Sequence, residues 1–436
     1  MTPGVRASRW IMPGAPGSRV TRLELLYDLI FVFAFLNVTV LVGNTLRPRA
    51  IIAGIVVLAL LWWCWSGLAA LGNITRANRG ALPLIGFATM AAAFILALTI
   101  PQAFMDQPGE LRGPVVFAVA YLMVRALTVG AFWFVTTPGT PSRRRLWLLT
   151  AAAGLAAVLV LTAALASLWA PDPRSTVWIR IILWCVAMVM EAVAARTPPY
   201  SGWAGLSAGH WAERHALIVL VAIGESVISL GLGAGTLAEL TLTVPIIVAA
   251  VLGIALVATL WWLHYDTFAL AVEQVIHGVR DKRRIPLTRD VYTYLHLLLI
   301  MGIIGTALGL KLVVRTVAGE AGRPLNPTEA RILYLGVVVF LLAEISIALR
   351  TFGVVPRPAL FAAAALTAVA AAADRAPALA ALGFLTTACV MLALDQRLRQ
   401  AAFRQRVRQS AFQEEQVVET ALNRWRVEHR QRRQLL

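Results

Sequence analysis

Apolar stretches long enough to cross a bilayer recur along this chain from residue 23 to residue 394, and they constrain its fold more than any other feature. A helix needs about 20 consecutive apolar residues to span the hydrocarbon core. The chain has 436 residues, of which 59% are hydrophobic and 14% are charged, whereas a soluble domain carries about 25% charged residues. The sequence therefore predicts an all-α, polytopic bundle of transmembrane helices.

The hydrophobic stretches divide the chain into about twelve predicted spans. Their bounds are 22–42, 51–71, 81–104, 112–136, 146–169, 176–195, 213–233, 243–266, 289–312, 331–350, 353–373 and 376–395. Together they form a transmembrane domain at 22–395, between an N-terminal segment (1–21) and a C-terminal tail (396–436). The N-terminal segment lacks an apolar core, so the first span is expected to act as the insertion signal.

The net charge of +17 is distributed unevenly along the chain. If the N terminus is cytoplasmic, most Lys and Arg residues fall in cytoplasmic loops and in the tail, as the positive-inside rule requires. Orientation in the membrane thereby explains the basic charge, and no nucleic-acid partner is expected. The prediction is a multi-pass protein of the plasma membrane, in contact with the lipid bilayer, with both termini in the cytoplasm.

Two similarities between the halves of the chain suggest a duplication. The second span contains LLWWCW at 60–65, and the eighth contains TLWWLHY at 259–265. The first and seventh spans each open with an acid, Glu24 and Glu213. Halves of six spans would be related as a parallel repeat, which some transporters use. The alternative is that the tryptophan pairs are independent anchors at the membrane interface.

The C-terminal tail is rich in Arg, Gln and Glu and contains neither Gly nor Pro. This composition predicts a cytoplasmic helix, which would lie on anionic lipid or pair with a second copy of the chain. A homo-oligomer formed through this helix is therefore one expectation. The alternative is a helix that is simply solvated.

Ionisable side chains inside the spans are the candidates for function, because charge within a bilayer is costly and usually faces the bundle interior. Glu24 and Asp28 lie four residues apart, so they share one face of the first helix. They are expected to adjoin a polar cluster at the cytoplasmic face, with His296 near it. The members of that cluster are His210, Glu213, Arg214, His215 and Glu191.

Three charged residues are predicted to lie deeper, near the middle of the membrane. They are Arg125, Glu225 and Glu344. Arg125 is the expected counter-charge for one of the two glutamates. Glu225 interrupts an apolar run at 216–232, where a carboxylate costs about 2.5–3.5 kcal/mol. Because no interface is close, a functional or proton-carrying role is favoured for Glu225.

Several other candidates also have a structural interpretation. Glu24, Asp28 and Arg214 lie near enough to the interface to reach water and to form purely structural ion pairs. His264 and Asp266 close the eighth span, where a solvated helix end is the favoured interpretation.

The histidines have both a structural and a metal-binding interpretation. His296 also fits a core histidine. His210 and Glu213 have the i, i+3 spacing found in di-metal bundles. A metal needs three or four convergent ligands, so neither a metal nor another cofactor is expected.

Four segments resemble the bacterial low temperature requirement A (LtrA) family, in the order that the family shows. They are VTRLELLYDLIFVFAF, HWAERHALIVLVAIGESVISLG, LWWLHYD and YLHLLLIMGIIGTALGL. One departure is Tyr27, where the family pattern leads us to expect Phe, and the basic tail is an addition. The resemblance implies a multi-spanning bacterial membrane protein and assigns no chemistry. By this resemblance, the signature positions of the family correspond to Glu24, Asp28, His210, Glu213, Arg214, Glu225, Ser226 and His296.

Three functions fit these residues. The favoured one is movement of a small solute or ion, coupled to protons that buried carboxylates take up and release. Its path would be lined by Asp28, Glu225, Arg125, His296, Glu24 and Glu344. The alternatives are an intramembrane enzyme acting on a lipid-like substrate, with His210 and Glu213 as acid and base, and a structural or accessory protein. A water-accessible cavity that reaches Glu225 would favour transport, and a dry core would favour the structural role.

Overall fold

The computed structural model describes residues 20–74, 80, 82–105, 109–136, 141–196, 208–233 and 242–434. The predicted N-terminal segment therefore lies almost wholly outside the described residues. Within them the chain forms fifteen α-helices. These are α1 Arg22–Gly43, α2 Pro48–Ile74, α3 Leu82–Thr99, α4 Gly113–Val135, α5 Pro141–Ala164, α6 Pro173–Ala194, α7 Ala208–Gly233, α8 Val244–Tyr265, α9 Phe268–Gly278, α10 Asp281–Thr288, α11 His296–Gly319, α12 Pro327–Phe352, α13 Arg357–Ala370, α14 Ala378–Arg399 and α15 Ala401–Gln434.

Eleven helical stretches of the described chain are long and apolar enough to cross a membrane, which confirms the polytopic α-helical fold. Three of them are longer than a single α-helix, because a 3-10 turn extends α3 to Gln102, α9 extends α8, and α10 leads into α11. The remaining predicted span corresponds to α13, whose 14 residues rise about 21 Å. That length is below the roughly 30 Å of the hydrocarbon core.

The short helix α13 nevertheless belongs to a segment that joins the two ends of the bundle. Just before it, Val354 lines a cavity together with Asp266, at the end where α8 finishes. Just after it, the Ala378 amide donates a 3.0 Å hydrogen bond to the Arg323 carbonyl, between α11 and α12. We call the end of the bundle that contains Asp266 the basic end. The opposite end, which contains Arg323, is called the far end.

Local sequence signals fix the ends of α1 and α12. Thr21 and Glu24 form a reciprocal capping box at the start of α1, and Asn326 and Glu329 form one at the start of α12. Such boxes satisfy backbone amides that a helix start leaves without partners. The end of α12 is set by Gly353, whose φ of 69° is a left-handed conformation that glycine adopts without strain.

The helices α11 and α12 form a close crossing because small residues face each other. A Cβ atom at Gly336 would lie 2.4 Å from the Thr306 nitrogen, and one at Gly302 would lie 2.4 Å from the Phe340 nitrogen. Close approach through small residues is the usual way in which membrane helices gain packing contacts. The pair is central, since α11 also packs on α7, α8 and α1.

Helix neighbours in the first half of the chain recur in the second half. The pairs α1–α2, α1–α3, α3–α4, α4–α5, α5–α6 and α2–α6 correspond to α7–α8, α7–α11, α11–α12, α12–α13, α13–α14 and α8–α14, and all of them are in contact. The halves meet where α1 packs on α7. A six-plus-six duplication would produce these equivalent pairs, and the duplication stays a prediction.

The tail forms the helix α15, and its first turns dock on the membrane domain. Arg404 binds both carboxylate oxygens of Asp266 at 2.6 and 2.7 Å, and Arg408 binds the same carboxylate at 2.6 Å. The Gln274 amide donates to the Val407 carbonyl at 2.9 Å. The start of α15 is therefore attached to α8 and α9, a contact that the sequence analysis did not include.

Candidate functional site

An ion pair between Asp28 and Arg214 joins α1 to α7 at the basic end. The guanidinium donates to both carboxylate oxygens at 2.7 and 2.9 Å. The Trp65 indole donates to the same carboxylate at 2.8 Å, and its ring lies 5.4 Å from the guanidinium. Asp28 and Arg214 are only 3% and 1% exposed. The expectation that they reach water was wrong, because Trp65 and the flanking helices cover the pair.

Glu24 lies one helical turn before this pair and contacts His210. Its Oε1 atom is 3.3 Å from His210 Nε2, and its Oε2 atom accepts the Thr21 amide hydrogen bond of the capping box. A Cβ atom at Gly72 would lie 2.1 Å from Glu24 Oε1, so the lack of a side chain there makes room for the carboxylate. Glu213 is exposed and accepts a 3.1 Å hydrogen bond from the Val20 amide. Glu213 therefore lies at the surface.

Three histidines from three helices form a row at the basic end. The ring centroids of His215 and His296 are 5.3 Å apart, and those of His296 and His264 are 5.9 Å apart. The row ends at Glu344, whose Oε1 atom is 2.7 Å from His264 Nδ1. A π-helical segment, Arg289–Leu295, places Tyr292 against both His215 and His296. Such irregular turns occur frequently at functional sites.

The predicted solvated end of α8 is instead buried. His264 is 2% exposed and Asp266 is 9% exposed. The interpretation was wrong because the chain continues past α8 into α9, and because α15 folds back over Asp266. The sequence around residue 266 contains no signal for a contact with residues near 404.

Arg125 pairs with Glu191, and the expectation that it pairs with Glu225 or Glu344 was wrong. Its guanidinium donates to Glu191 Oε1 at 3.0 and 3.2 Å, and the Tyr121 hydroxyl lies 3.5 Å from Glu191 Oε2. The reason is the packing: α4 contacts α2, α3 and α5 and brings Arg125 to α6. Glu344 takes His264 as its partner.

Glu225 lies apart from these pairs, in a polar pocket between α7 and α1. Its side chain is 0% exposed, and its Oε1 atom accepts hydrogen bonds from Ser229 at 2.7 Å and from Thr39 at 3.1 Å. Its Oε2 atom has no hydrogen-bond partner among the described residues. The charged group that acts on it is Lys311 of α11. Glu225 is ten residues beyond His215, or about 15 Å along the helix.

Three cavities lie among these residues, and none of the three reaches Glu225. A cavity of about 170 Å³, which we call the histidine cavity, is lined by His264, His296 and Glu273. A second, of about 390 Å³, is lined by Glu344 and by residues of α14 and α15, and a third of about 40 Å³ lies beside Glu24. No group of three or more metal-ligating side chains occurs among the described residues.

Sequence reasoning did not assign Trp65, Glu273 or Lys311 to this site, and it assigned His264 to a solvated helix end. Trp65 and His264 each lie two positions after a tryptophan pair, so the proposed duplication already made them equivalent. The repeat therefore pointed to His264, because its position is equivalent to that of Trp65, which binds Asp28. Glu273 and Lys311 had no such signal, because each is one charged residue on an otherwise ordinary helix face.

Comparison with known proteins places this arrangement in context. The family model for the bacterial low temperature requirement A protein (LtrA) matches residues 19–394. An uncharacterized protein of Rhizobium meliloti (strain 1021) is 24% identical over 298 residues, which cover 66% of this chain and 67% of the relative. No solved structure matches the chain. The family match includes the Asp28–Arg214, Arg125–Glu191 and His264–Glu344 pairs and excludes α15.

Proposed function

This chain belongs to the bacterial low temperature requirement A (LtrA) family of multi-pass membrane proteins, and we propose that it moves a small solute or ion across the plasma membrane with coupling to protons. The basic end would face the cytoplasm, because Lys and Arg concentrate on that side of bacterial membrane proteins. Glu225 would be the group that takes up and releases the proton.

The observation that supports this proposal is the free oxygen of Glu225. A carboxylate inside a membrane costs about 2.5–3.5 kcal/mol, whereas one hydrogen bond between membrane helices contributes about 0.6 kcal/mol. Two hydroxyl groups, of Ser229 and Thr39, donate to one oxygen, and Oε2 has no partner within the part of the chain that the structure describes. A purely structural role does not explain why a carboxylate should be held in this position.

None of the three cavities described above connects the basic end to Glu225 in this conformation. The histidine cavity reaches His296, and beyond it Ile218, Leu299 and Ile303 are fully buried. The cavity that would favour transport is therefore not among the three found here. Transporters that work by alternating access require such a closed layer in one of their states, so the proposal needs a second conformation in which this layer opens.

The other path residues take two roles in this proposal. His296 and Glu344 line cavities at the basic end, where they would exchange protons with water. Asp28 and Arg125 are held in ion pairs, and Glu24 contacts His210. These three would fix the helices that frame the path. Paired charges suit that role because each already has a partner of opposite charge or a hydrogen-bonding contact.

A proton-uptake experiment tests the role of Glu225. Liposomes that contain the purified protein and an internal pH-sensitive dye would be given an inside-negative potassium diffusion potential. We expect proton uptake by the wild-type protein and little uptake by Glu225→Gln. The matched control is Glu320→Gln, which removes an exposed carboxylate at the far end. Equal uptake by wild type and Glu225→Gln would overturn the proposal.

Infrared spectroscopy gives a second, independent measurement. A buried carboxyl group that changes its protonation state produces a C=O stretching band that appears and disappears with pH. We expect one such band in the wild type that Glu225→Gln removes and Glu320→Gln retains. A wild type without that band at any pH would count against proton coupling, even if uptake were observed.

The enzyme alternative has less support from the geometry. It needs His210 and Glu213 to act together as acid and base within reach of one substrate. His210 contacts Glu24 instead, while Glu213 is exposed and bonded to the Val20 amide.

A further inference from the structure

The histidine cavity is lined by the Glu273 carboxylate, by two imidazole rings and by aromatic rings, and we infer that it binds a small organic ammonium ion. The proposed ligand is a protonated amine with a short apolar substituent. The inference goes beyond the proposed function, since binding at this site needs neither Glu225 nor transport.

The hydrogen bonds of the two histidines determine which ring atom is left for a ligand. His296 Nδ1 lies 2.9 Å from the Val291 carbonyl, which only accepts, so Nδ1 carries the hydrogen. His264 Nδ1 faces the Glu344 carboxylate at 2.7 Å and donates to it in the same way. In a neutral imidazole the other nitrogen is then an acceptor. His296 Nε2 is therefore an acceptor when its ring is neutral, and both rings line the cavity, with His296 3% and His264 2% exposed.

A carboxylate supplies the charge that an ammonium ion needs. Glu273 lines the same cavity, and no Lys or Arg does. The charged groups that act on Glu273 are Glu213 and Glu414, which are also acidic. These acidic groups favour a cation over an anion at this wall. An anionic ligand would meet the Glu273 carboxylate and the acceptor nitrogen of His296, whereas an ammonium ion offers three donors and a positive charge.

The volume and the lining residues of the cavity limit the size and the polarity of the rest of the ligand. The volume of about 170 Å³ is close to the cavity of about 150 Å³ that holds one benzene molecule in another protein. Phe268 and Tyr292 provide aromatic walls, and aromatic faces attract organic cations. A metal ion is disfavoured, because no three metal-ligating side chains converge among the described residues.

Thermal stabilisation and calorimetry with n-butylammonium chloride test the inference on the full-length protein in detergent. The matched ligands are n-butanol, which has the same chain without charge, and n-butyrate, which has the opposite charge. Zinc chloride, in a separate titration, tests for a metal site. We expect n-butylammonium alone to bind and to raise the unfolding temperature.

Three variants connect binding to this cavity. Glu273→Gln removes the half-buried carboxylate and should weaken binding at least about tenfold, as expected for the loss of a charge-assisted hydrogen bond. His296→Gln should weaken it as well. Ala269→Leu leaves every acceptor in place and should block the site by filling it. Glu320→Gln, at the far end, should bind like the wild type.

Several outcomes would overturn the inference. Equal binding of n-butanol would mean that the cavity selects apolar groups only. Zinc binding that depends on His296 and Glu273, without amine binding, would make it a metal site. Amine binding that survives both Glu273→Gln and Ala269→Leu would place the ligand elsewhere. The Ala269→Leu variant keeps the test decisive if a polar substitution impairs folding.

Discussion

Buried carboxylates have opposite kinds of partner at the basic end and in the Glu225 pocket. At the basic end Asp28 is bound by a guanidinium and an indole, and Glu344 is bound by an imidazole. In the Glu225 pocket two hydroxyl groups donate to one oxygen, and no arginine or histidine of the described chain bonds to the carboxylate. A fully paired charge holds helices together, while a carboxylate with weak donors can change its charge at little structural cost. The difference separates the framework of the bundle from its candidate working group.

The largest effect is expected at the Asp28–Arg214 pair. Arg214→Met leaves a buried carboxylate without its cation and should lower the free energy of unfolding by about 3–5 kcal/mol. Reversible unfolding in mixed micelles measures this change. The control is Arg350→Met, which removes an exposed partner of Asp290 and should change stability by at most about 1 kcal/mol. A small loss for Arg214→Met would mean that the pair is not part of the framework.

A double-mutant cycle on His264 and Glu344 should give the second-largest effect. The single variants His264→Gln and Glu344→Gln each leave one buried partner unmatched, and the double variant removes both. We expect a coupling energy of about 1–2 kcal/mol between the two side chains, measured by unfolding as above. Additive single effects would show that the 2.7 Å contact contributes no specific interaction.

A smaller change is expected for Glu225→Gln, which is the central test of the comparison. Because Ser229 and Thr39 can still donate to an amide oxygen, the free energy of unfolding should stay within about 1 kcal/mol of the wild type. The same unfolding measurement applies. A loss as large as that of Arg214→Met would show that Glu225 is charged and paired, for example with Lys311, and the contrast between the two regions would collapse.

The smallest effect is expected where α15 docks. Arg404→Ala and Arg408→Ala each remove one of the two arginines that bind Asp266, and the other arginine remains, so each should change global stability by at most about 1 kcal/mol. The local effect should be larger. Hydrogen exchange in the first turns of α15 should become faster in both variants, whereas Arg424→Ala, further along the same helix, should leave it unchanged. Unchanged exchange in the Arg404 variant would show that other contacts hold the helix.

Much of the fold follows from the chain alone. Hydropathy located the helices, and capping residues such as Thr21 and Asn326 marked their starts. The short helix α13 was assigned a longer span because its alanine-rich sequence stays apolar beyond the helix. Hydropathy measures how readily a segment enters the membrane and does not measure where its hydrogen-bonded helix ends.

The sequence by itself determined that charges are buried in this protein and on which helices they lie. Only the tertiary structure decided which charges meet. Arg125 faces Glu191, and His264 faces Glu344, because the lateral order of the helices brings α4 to α6 and α8 to α12. That order arises from side-chain packing between segments far apart in the chain, such as the glycine crossing of α11 and α12. Local patterns act over a few residues of one helix, so they cannot specify its neighbours.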